Sequence, residues 1–337
     1  MEELADTTGN EDVRPNFYNY NSVISALAKS QDYEGAAFRA ESILERMENL
    51  YRTTGDENVM PRTSTYNAII DAWAKSGEID AANRAELVLS HMMELYETGH
   101  NIDAKPNVRS FNSVLNAWAK SGHPEAPMHA SEVLERMVDL DGSSDLRVSP
   151  DATSFATAIN AFARSHVFGK AQSAYDLFLH MEDLFRSTGS TKLRPNNIVY
   201  NSVLNACAYS VGDLEEQSHA MEIANAMLVA MNQSPYTKPD QVTYGTYLKV
   251  INNQMPPSDA RDQVAEKLFR KCAKDGMVGG MVLRQLYELG IEEKVKLEMY
   301  RTSPWVEGDI NVNSLPHEWT CNVIEGKRNR RRRWFGR

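Results

Sequence analysis

Small and apolar positions recur along this 337-residue chain with a period of 44 to 46 residues. Ala40, Ala85, Ala130, Ala174 and Ala220 each precede a methionine by seven residues: Met47, Met92, Met137, Met181 and Met227. Seven residues make two helical turns, so each pair shares a helix face. The alanine lets a neighbouring helix approach, and the flexible methionine fills the space beside it. A second column carries an aromatic residue: Tyr20, Tyr66, Phe111, Phe155, Tyr200 and Tyr244. Behind it come Ala26-Leu27-Ala28-Lys29-Ser30, Ala72-Trp73-Ala74-Lys75-Ser76 and Ala117-Trp118-Ala119-Lys120-Ser121. Each period therefore predicts a helical hairpin. Helix A takes about 12 residues from the aromatic to the Lys-Ser pair. A short turn follows, with Gly77, Gly122 or Gly212 in some copies. Helix B is longer, roughly 17 to 20 residues, as over 33–51.

Polar punctuation separates the hairpins. A proline followed by a polar residue recurs at Pro15-Asn16, Pro61-Arg62, Pro106-Asn107, Pro150-Asp151, Pro195-Asn196 and Pro239-Asp240. The spacings are 46, 45, 44, 45 and 44. Proline stops a helix from running through and sets up the next one. Polar, glycine-bearing linkers precede it, as over 53–58 and 142–145. A single hairpin cannot bury both faces, so neighbours must stack. The expected fold is all-α: a right-handed alpha-solenoid of stacked antiparallel helical hairpins with a concave groove. The expected divisions are an acidic segment 1–14, repeats at 15–60, 61–105, 106–149, 150–194 and 195–238, and a degenerate sixth repeat at 239–280. A helical cap with an irregular segment follows at 281–326, then a basic tail at 327–337. Within this end, 258–274 reads as helix B of the sixth repeat, with Val264, Leu268 and Cys272 four residues apart. Helices at 281–289 and 291–299 would close the stack, and 303–325 would fold back over the last helices or form a small hairpin.

The proline step, the aromatic-Asn pair (Tyr20-Asn21, Tyr66-Asn67, Phe111-Asn112, Tyr200-Asn201) and the Ala-to-Met helix together resemble the pentatricopeptide repeat family. The resemblance spans about residues 17–247. The repeats are longer than the family's usual 35 residues, with the excess mainly at the end of helix B and its linker. What the resemblance implies is sequence-selective binding of single-stranded RNA, one base per repeat. Two residues of each repeat would read the base: Asn21 with Arg62, Asn67 with Asn107, Asn112 with Asp151, Ala156 with Asn196, and Asn201 with Asp240. Gly245 stands in the same column with no identifiable partner. In the family, Asn-Asp pairs favour uracil and Asn-Asn pairs favour pyrimidines, whereas Arg62, Ala156 and Gly245 depart from the usual pairs. Phe17, Thr63, Val108, Ala152, Asn197 and Gln241 begin the repeats near the groove. Lys29, Lys75, Lys120 and Arg164 recur in phase and would meet the RNA backbone.

The same residues carry plainer readings. An Asn near a helix start often caps a backbone N–H, and Lys-Ser before a turn suits any helix C-terminus. The RNA reading therefore expects the amides of Asn21, Asn67, Asn112 and Asn201 to be free of their own backbone.

Charge limits the function further. The chain has 36 Lys+Arg against 46 Asp+Glu, a formal charge of -10. Seven of the basic residues fall in 327–337, including Arg330, Arg331, Arg332 and Arg333, so the remainder stands at -17. An acidic body does not coat nucleic acid by bulk charge. The basic tail would touch phosphates or an acidic protein surface, or serve as a solubilising or targeting end. Cys207, Cys272 and Cys321 lie far apart, and the eight histidines are scattered. No metal motif or phosphate-binding loop is present. No enzyme activity, cofactor or metal is expected, and no membrane span. The expectation is an RNA-binding adaptor in organellar RNA processing, stability or translation, in the mitochondrion or chloroplast by family resemblance, although residues 1–12 do not read as a presequence; the cytoplasm is the alternative location. The alternative function is a protein-binding scaffold for a basic partner. A protein effector is compatible with either, and the oligomeric state stays open.

Overall fold

The computed structural model describes residues 7–8, 14–30, 35–143, 146, 148–291, 312 and 315–323. The chain folds into two compact units, each built from the same helical hairpin. The first comprises the described residues up to Ser165 together with Thr188–Leu193; the second comprises His166–Ser187 and the described residues from Arg194 onward.

Every repeat opens in the same way. Pro15, Pro61, Pro106, Pro150, Pro195 and Pro239 are all buried. The residue after each is extended, and the helix begins at the next one. The A helices are α1 (Phe17–Lys29), α3 (Thr63–Ser76), α5 (Val108–Ser121), α7 (Ala152–Arg164), α9 (Asn197–Ala208) and α11 (Gln241–Gln254). They start three residues before the aromatic column, because the helix is capped by the residue that follows proline. The B helices are α2 (Ala36–Thr54), α4 (Ala81–Glu97), α6 (Ala126–Ser143), α8 (Lys170–Thr188), α10 (Leu214–Gln233) and α12 (Asp259–Lys274). At Gly77 and Gly122, φ is 72° and 67°, and these left-handed glycines end helix A and turn the chain into helix B.

In the first unit the A helices lie side by side in chain order, α1 on α3, α3 on α5 and α5 on α7. Each B helix packs on its own A helix and on the next, as α2 does on α1 and α3. Ala40, Ala85, Ala130, Met47, Met92 and Met137 form this seam, and in both units every alanine and methionine of the column is at most 1% exposed. Polar ties cross it in register. The Trp73 indole donates to Glu41 Oε2 at 3.1 Å, and 45 residues on the Trp118 indole donates to Glu86 Oε2 at 2.6 Å. The Tyr66 hydroxyl donates to Glu48 Oε1 at 2.7 Å, and burial beside that carboxylate raises its pKa, which keeps it a donor.

The long linkers are built into the packing. Short 3-10 turns at Glu57–Val59, Ile102–Ala104 and Thr191–Leu193 each bury an apolar residue: Val59, Ala104 and Leu193. After the second repeat, Asn101 Nδ2 donates to the Pro61 carbonyl at 2.8 Å, and Thr63 Oγ1 donates to the Asp103 and Lys105 carbonyls. The linker thus latches onto the start of its own repeat, and the excess length becomes structure.

In the second unit α9 packs on α11, and α11 packs on α13 (Gly280–Leu289). The expected first capping helix is therefore a seventh A helix. The described part of the irregular segment does fold back: α14 (His317–Thr320) packs on α12, with the Trp319 ring edge-on to Phe269 at 5.4 Å. Val278 N donates to the Trp319 carbonyl at 2.8 Å and Asn322 N to the Gly276 carbonyl at 3.0 Å. The expected helix at 291–299 lies almost wholly outside the described residues, as does the tail with Arg330, Arg331, Arg332 and Arg333. Among the described residues there is no strand, and no helix is long and apolar enough to cross a membrane.

Met137→Ala, at the centre of the seam, is expected to cost about 2–5 kcal/mol. Val229→Ala, on a residue 53% exposed, should stay within about 0.5 kcal/mol. Urea denaturation followed by circular dichroism reads both, and equal losses would refute the seam.

Candidate nucleic-acid interface

Two columns meet where one A helix begins beside another. The first is the residue after proline, which caps the helix. Asn107 Oδ1 accepts from Ser110 N at 3.2 Å, Asp151 Oδ1 from Thr153 N and Ser154 N at 2.9 Å, Asn196 Oδ1 from Ile198 N at 3.0 Å, and Asp240 Oδ1 from Thr243 N at 2.8 Å. A short polar side chain can satisfy these orphan donors, and arginine cannot. Arg62 instead stacks on the Phe17 ring at 4.6 Å and pairs with Asp103 at 3.7 Å.

The second column is the asparagine one turn into helix A. None of its four asparagines caps its own helix; that task falls to the preceding column, except at Arg62, which leaves α3 without a side-chain cap. Asn112 Nδ2 donates to Asp151 Oδ1 at 3.4 Å, and Asn201 Nδ2 to Asp240 Oδ1 at 3.5 Å. These long bonds orient the amide more than they hold it. The acceptor oxygens differ. Asn21 Oδ1 accepts from Thr65 at 3.3 Å and Asn112 Oδ1 from Ser154 at 2.7 Å, both hydroxyls of the next repeat. Asn67 Oδ1 and Asn201 Oδ1 are buried without a hydrogen-bond partner. Among the described residues no hydrogen bond joins Asn21 to Arg62 or Asn67 to Asn107, and Ala156 and Asn196 fall in different compact units. Gly245, also in this column, is buried.

One carboxylate is tuned. Burial pushes the Asp240 carboxyl up, but hydrogen bonds from Asn197, Thr243 and Asn201 outweigh this and hold it below its ordinary value. It is ionised at neutral pH and accepts only, which fixes the Asn201 amide with its nitrogen toward Asp240.

Lys29, Lys75, Lys120 and Arg164 are all exposed in the last turn of their A helices. The sites are not equivalent. Arg164 Nη1 donates to the Ala119 carbonyl at 3.3 Å, and in the corresponding place Asn253 Nδ2 donates to the Ala208 carbonyl at 2.7 Å. These two close the end of the preceding A helix. Between the asparagine and the lysine lies a column that sequence reasoning passed over: Asp71, Asn116, Asn160, Asn205 and Lys249. Its signal is the same 44- to 45-residue phase. Asp71 accepts from Ser113 at 2.6 Å and pairs with Arg109 at 2.8 Å, and the Lys249 ammonium lies 4.1 Å from the centre of the Tyr209 ring. Asn116, Asn160 and Asn205 are half-buried.

The family model for the pentatricopeptide repeat domain matches residues 3–76, the first hairpin and the A helix of the second. That stretch is similar to a pentatricopeptide repeat domain. No curated protein matches it. The crystal structure of the pentatricopeptide repeat protein PPR10 from maize is similar at 18% identity with a TM-score of 0.39, covering 89% of this chain and 40% of that one. The chain thus spans well under half the length of that protein. Among the described residues no group of three or more His, Cys, Asp or Glu could hold a metal ion. Cys207 is buried within the packing and its thiol is pushed up to about 12.

Asp240→Ala removes a cap and should cost about 0.5–2 kcal/mol at pH 7. Because the folded carboxyl titrates below the unfolded one, its contribution is complete above the ordinary carboxylate value of about 3.9 and is lost as pH falls through the folded value. The gap between wild type and variant should therefore narrow on acidification; urea midpoints at pH 7 and near pH 3.5 check this, and a constant gap would count against it.

Proposed function

We propose that this protein is a sequence-selective, single-stranded RNA-binding adaptor. One observation carries the reading: the asparagine amides do no capping, and Asp151 and Asp240, which orient two of them, are the caps of the next helix. An amide has one donating and one accepting side, which suits the Watson–Crick edge of a pyrimidine. With its nitrogen turned to Asp240, Asn201 holds a buried, unpaired oxygen, which would have to turn outward to meet a base N–H such as uracil offers at N3. Asn112 with Asp151 and Asn201 with Asp240 would favour uracil, and Asn67 with Asn107 a pyrimidine. Asn21 with Arg62 would read with less selectivity, since Arg62 is drawn to Phe17, and Ala156 offers no polar atom to a base. Lys29, Lys75 and Lys120 would neutralise phosphates, and Arg330, Arg331, Arg332 and Arg333 would extend that contact. Bound this way, the protein acts by occupancy: it shields a strand or presents it to a partner protein in organellar RNA processing, stability or translation, in the mitochondrion or chloroplast. A basic-partner scaffold is the second reading, favoured by a cavity of about 580 Å³ edged by Asp213, Glu215, Glu216 and Glu222 beside Phe168.

Crosslinking and sequencing of bound RNA tests the first reading. Asn112→Ala and Asn201→Ala should each weaken binding to the enriched motif by about 1–3 kcal/mol and relax one position. Enrichment no better than background would sink the proposal. Replacing Lys29, Lys75 and Lys120 together with alanine should lower the slope of log affinity against log salt by about 2, at roughly 0.7 per phosphate contact, with base preference unchanged. An unaltered slope would remove these lysines from the interface.

A further inference from the structure

We propose that base reading stops after the fifth repeat because protein side chains fill the sixth reading position: Met281 takes the space over Gly245, and Gln241 the space over Gly279. The inference rests on the RNA-binding reading above and says where its register ends.

The backbone supplies the missing partner of Gly245. Gly279 is the cap residue of α13, with φ -107° and ψ 179°, against -107° and 178° for the cap residue Asn16 of α1. Because α13 packs on α11 as a seventh A helix, Gly279 stands in the column of Asn107, Asp151, Asn196 and Asp240. The sixth pair is therefore Gly245 with Gly279. Sequence spacing hides it: Asp240 and Gly279 are 39 residues apart, five fewer than Asn196 and Asp240.

Neither glycine needs to be glycine for its backbone, since neither has a positive φ. Space decides instead. A Cβ at Gly245 would lie 2.6 Å from Met281 Cγ, 3.1 Å from its Sδ and 3.2 Å from its Cβ. A Cβ at Gly279 would lie 2.0 Å from Gln241 Oε1. Real contacts of this kind do not fall below 3.0 Å, so no asparagine or aspartate fits either place while Met281 and Gln241 keep theirs. Met281 belongs to the column of Tyr18, Ser64, Arg109, Thr153, Ile198 and Val242, the second residue of each A helix. All six are exposed, and Met281 is 37% exposed. Here that position reaches back over the preceding repeat, which has no side chain to meet it. A thioether offers a base edge only a weak acceptor. The position is thus filled, by Met281 over Gly245 and by the Gln241 amide over Gly279, and it lacks the asparagine and cap pair that the earlier repeats hold.

Selection of bound sequences from a random RNA pool tests this, using the full chain. Wild type should enrich a motif of at most five informative positions. The variant Gly245→Asn, Gly279→Asp, Met281→Ala, Gln241→Ala, which clears both fillers, should add one adjacent position, with about a tenfold preference for uracil there. Met281→Ala alone, a milder change, should lengthen the ribonuclease-protected footprint by one nucleotide without adding a preference. A sixth informative position in wild type would overturn the proposal. So would an unchanged motif in the quadruple variant that keeps its helical signal and cooperative melting, or an unchanged footprint for Met281→Ala. If wild type enriches no motif at all, the RNA-binding reading itself fails, a result distinct from a five-position motif that the variants do not extend.

Discussion

A helical hairpin of this type carries apolar surface on both sides, and folding up buries only one of them. The other must be covered by the next hairpin. Everything else in each compact unit follows from that requirement. The alanines at 40, 85, 130 and 220 let a B helix sit against two A helices at once, and the methionines two turns later fill what remains. The A helices are thereby forced into a row, and a row of equivalent helices turns one residue of sequence into a column on the structure. A function built on columns is available only because the packing problem was solved by repetition.

The row also explains why the cap residue can serve twice. A helix needs a side-chain acceptor at its start. In a stack, the start of one A helix lies beside the first turns of the A helix before it. Asp151 and Asp240 therefore satisfy their own helix's N–H groups and also touch the asparagine of the preceding repeat. Stability and orientation draw on the same oxygen. Where the cap residue is arginine, as at Arg62, the side chain turns to an aromatic ring and a linker carboxylate, and the helix starts without a side-chain cap. Where it is glycine, as at Gly279, there is nothing to orient, and neighbouring side chains move in.

Much of this was legible in the chain itself. The hairpins, their order and the buried seam are written in the spacing of Ala, Met, aromatic and Pro positions, because a helix face imposes its period on the residues it buries. The start of α12 at Asp259 and the exposed lysines of α1, α3 and α5 follow from the same logic. Other features were not legible. Asparagine at a helix start suits capping as well as recognition, and only the position of the true caps, one column earlier, separates the two. The long linkers read as loops, since their 3-10 turns hold only three residues and bury one each. The segment 281–289 read as a cap, because the proline that announces every other A helix is replaced before α13 by Val278-Gly279.

The sequence by itself determined the hairpin, its repetition and the columns that run through it. Local periodicity and helix-stop chemistry act between neighbours in the chain and need no knowledge of distant residues. Tertiary structure alone decided which oxygen caps and which is left free, that Arg164 closes the preceding helix, and that Gly245 faces Met281. Each of these is a contest for one space or one hydrogen bond between residues 36 to 45 positions apart, and only the packed stack brings the competitors together.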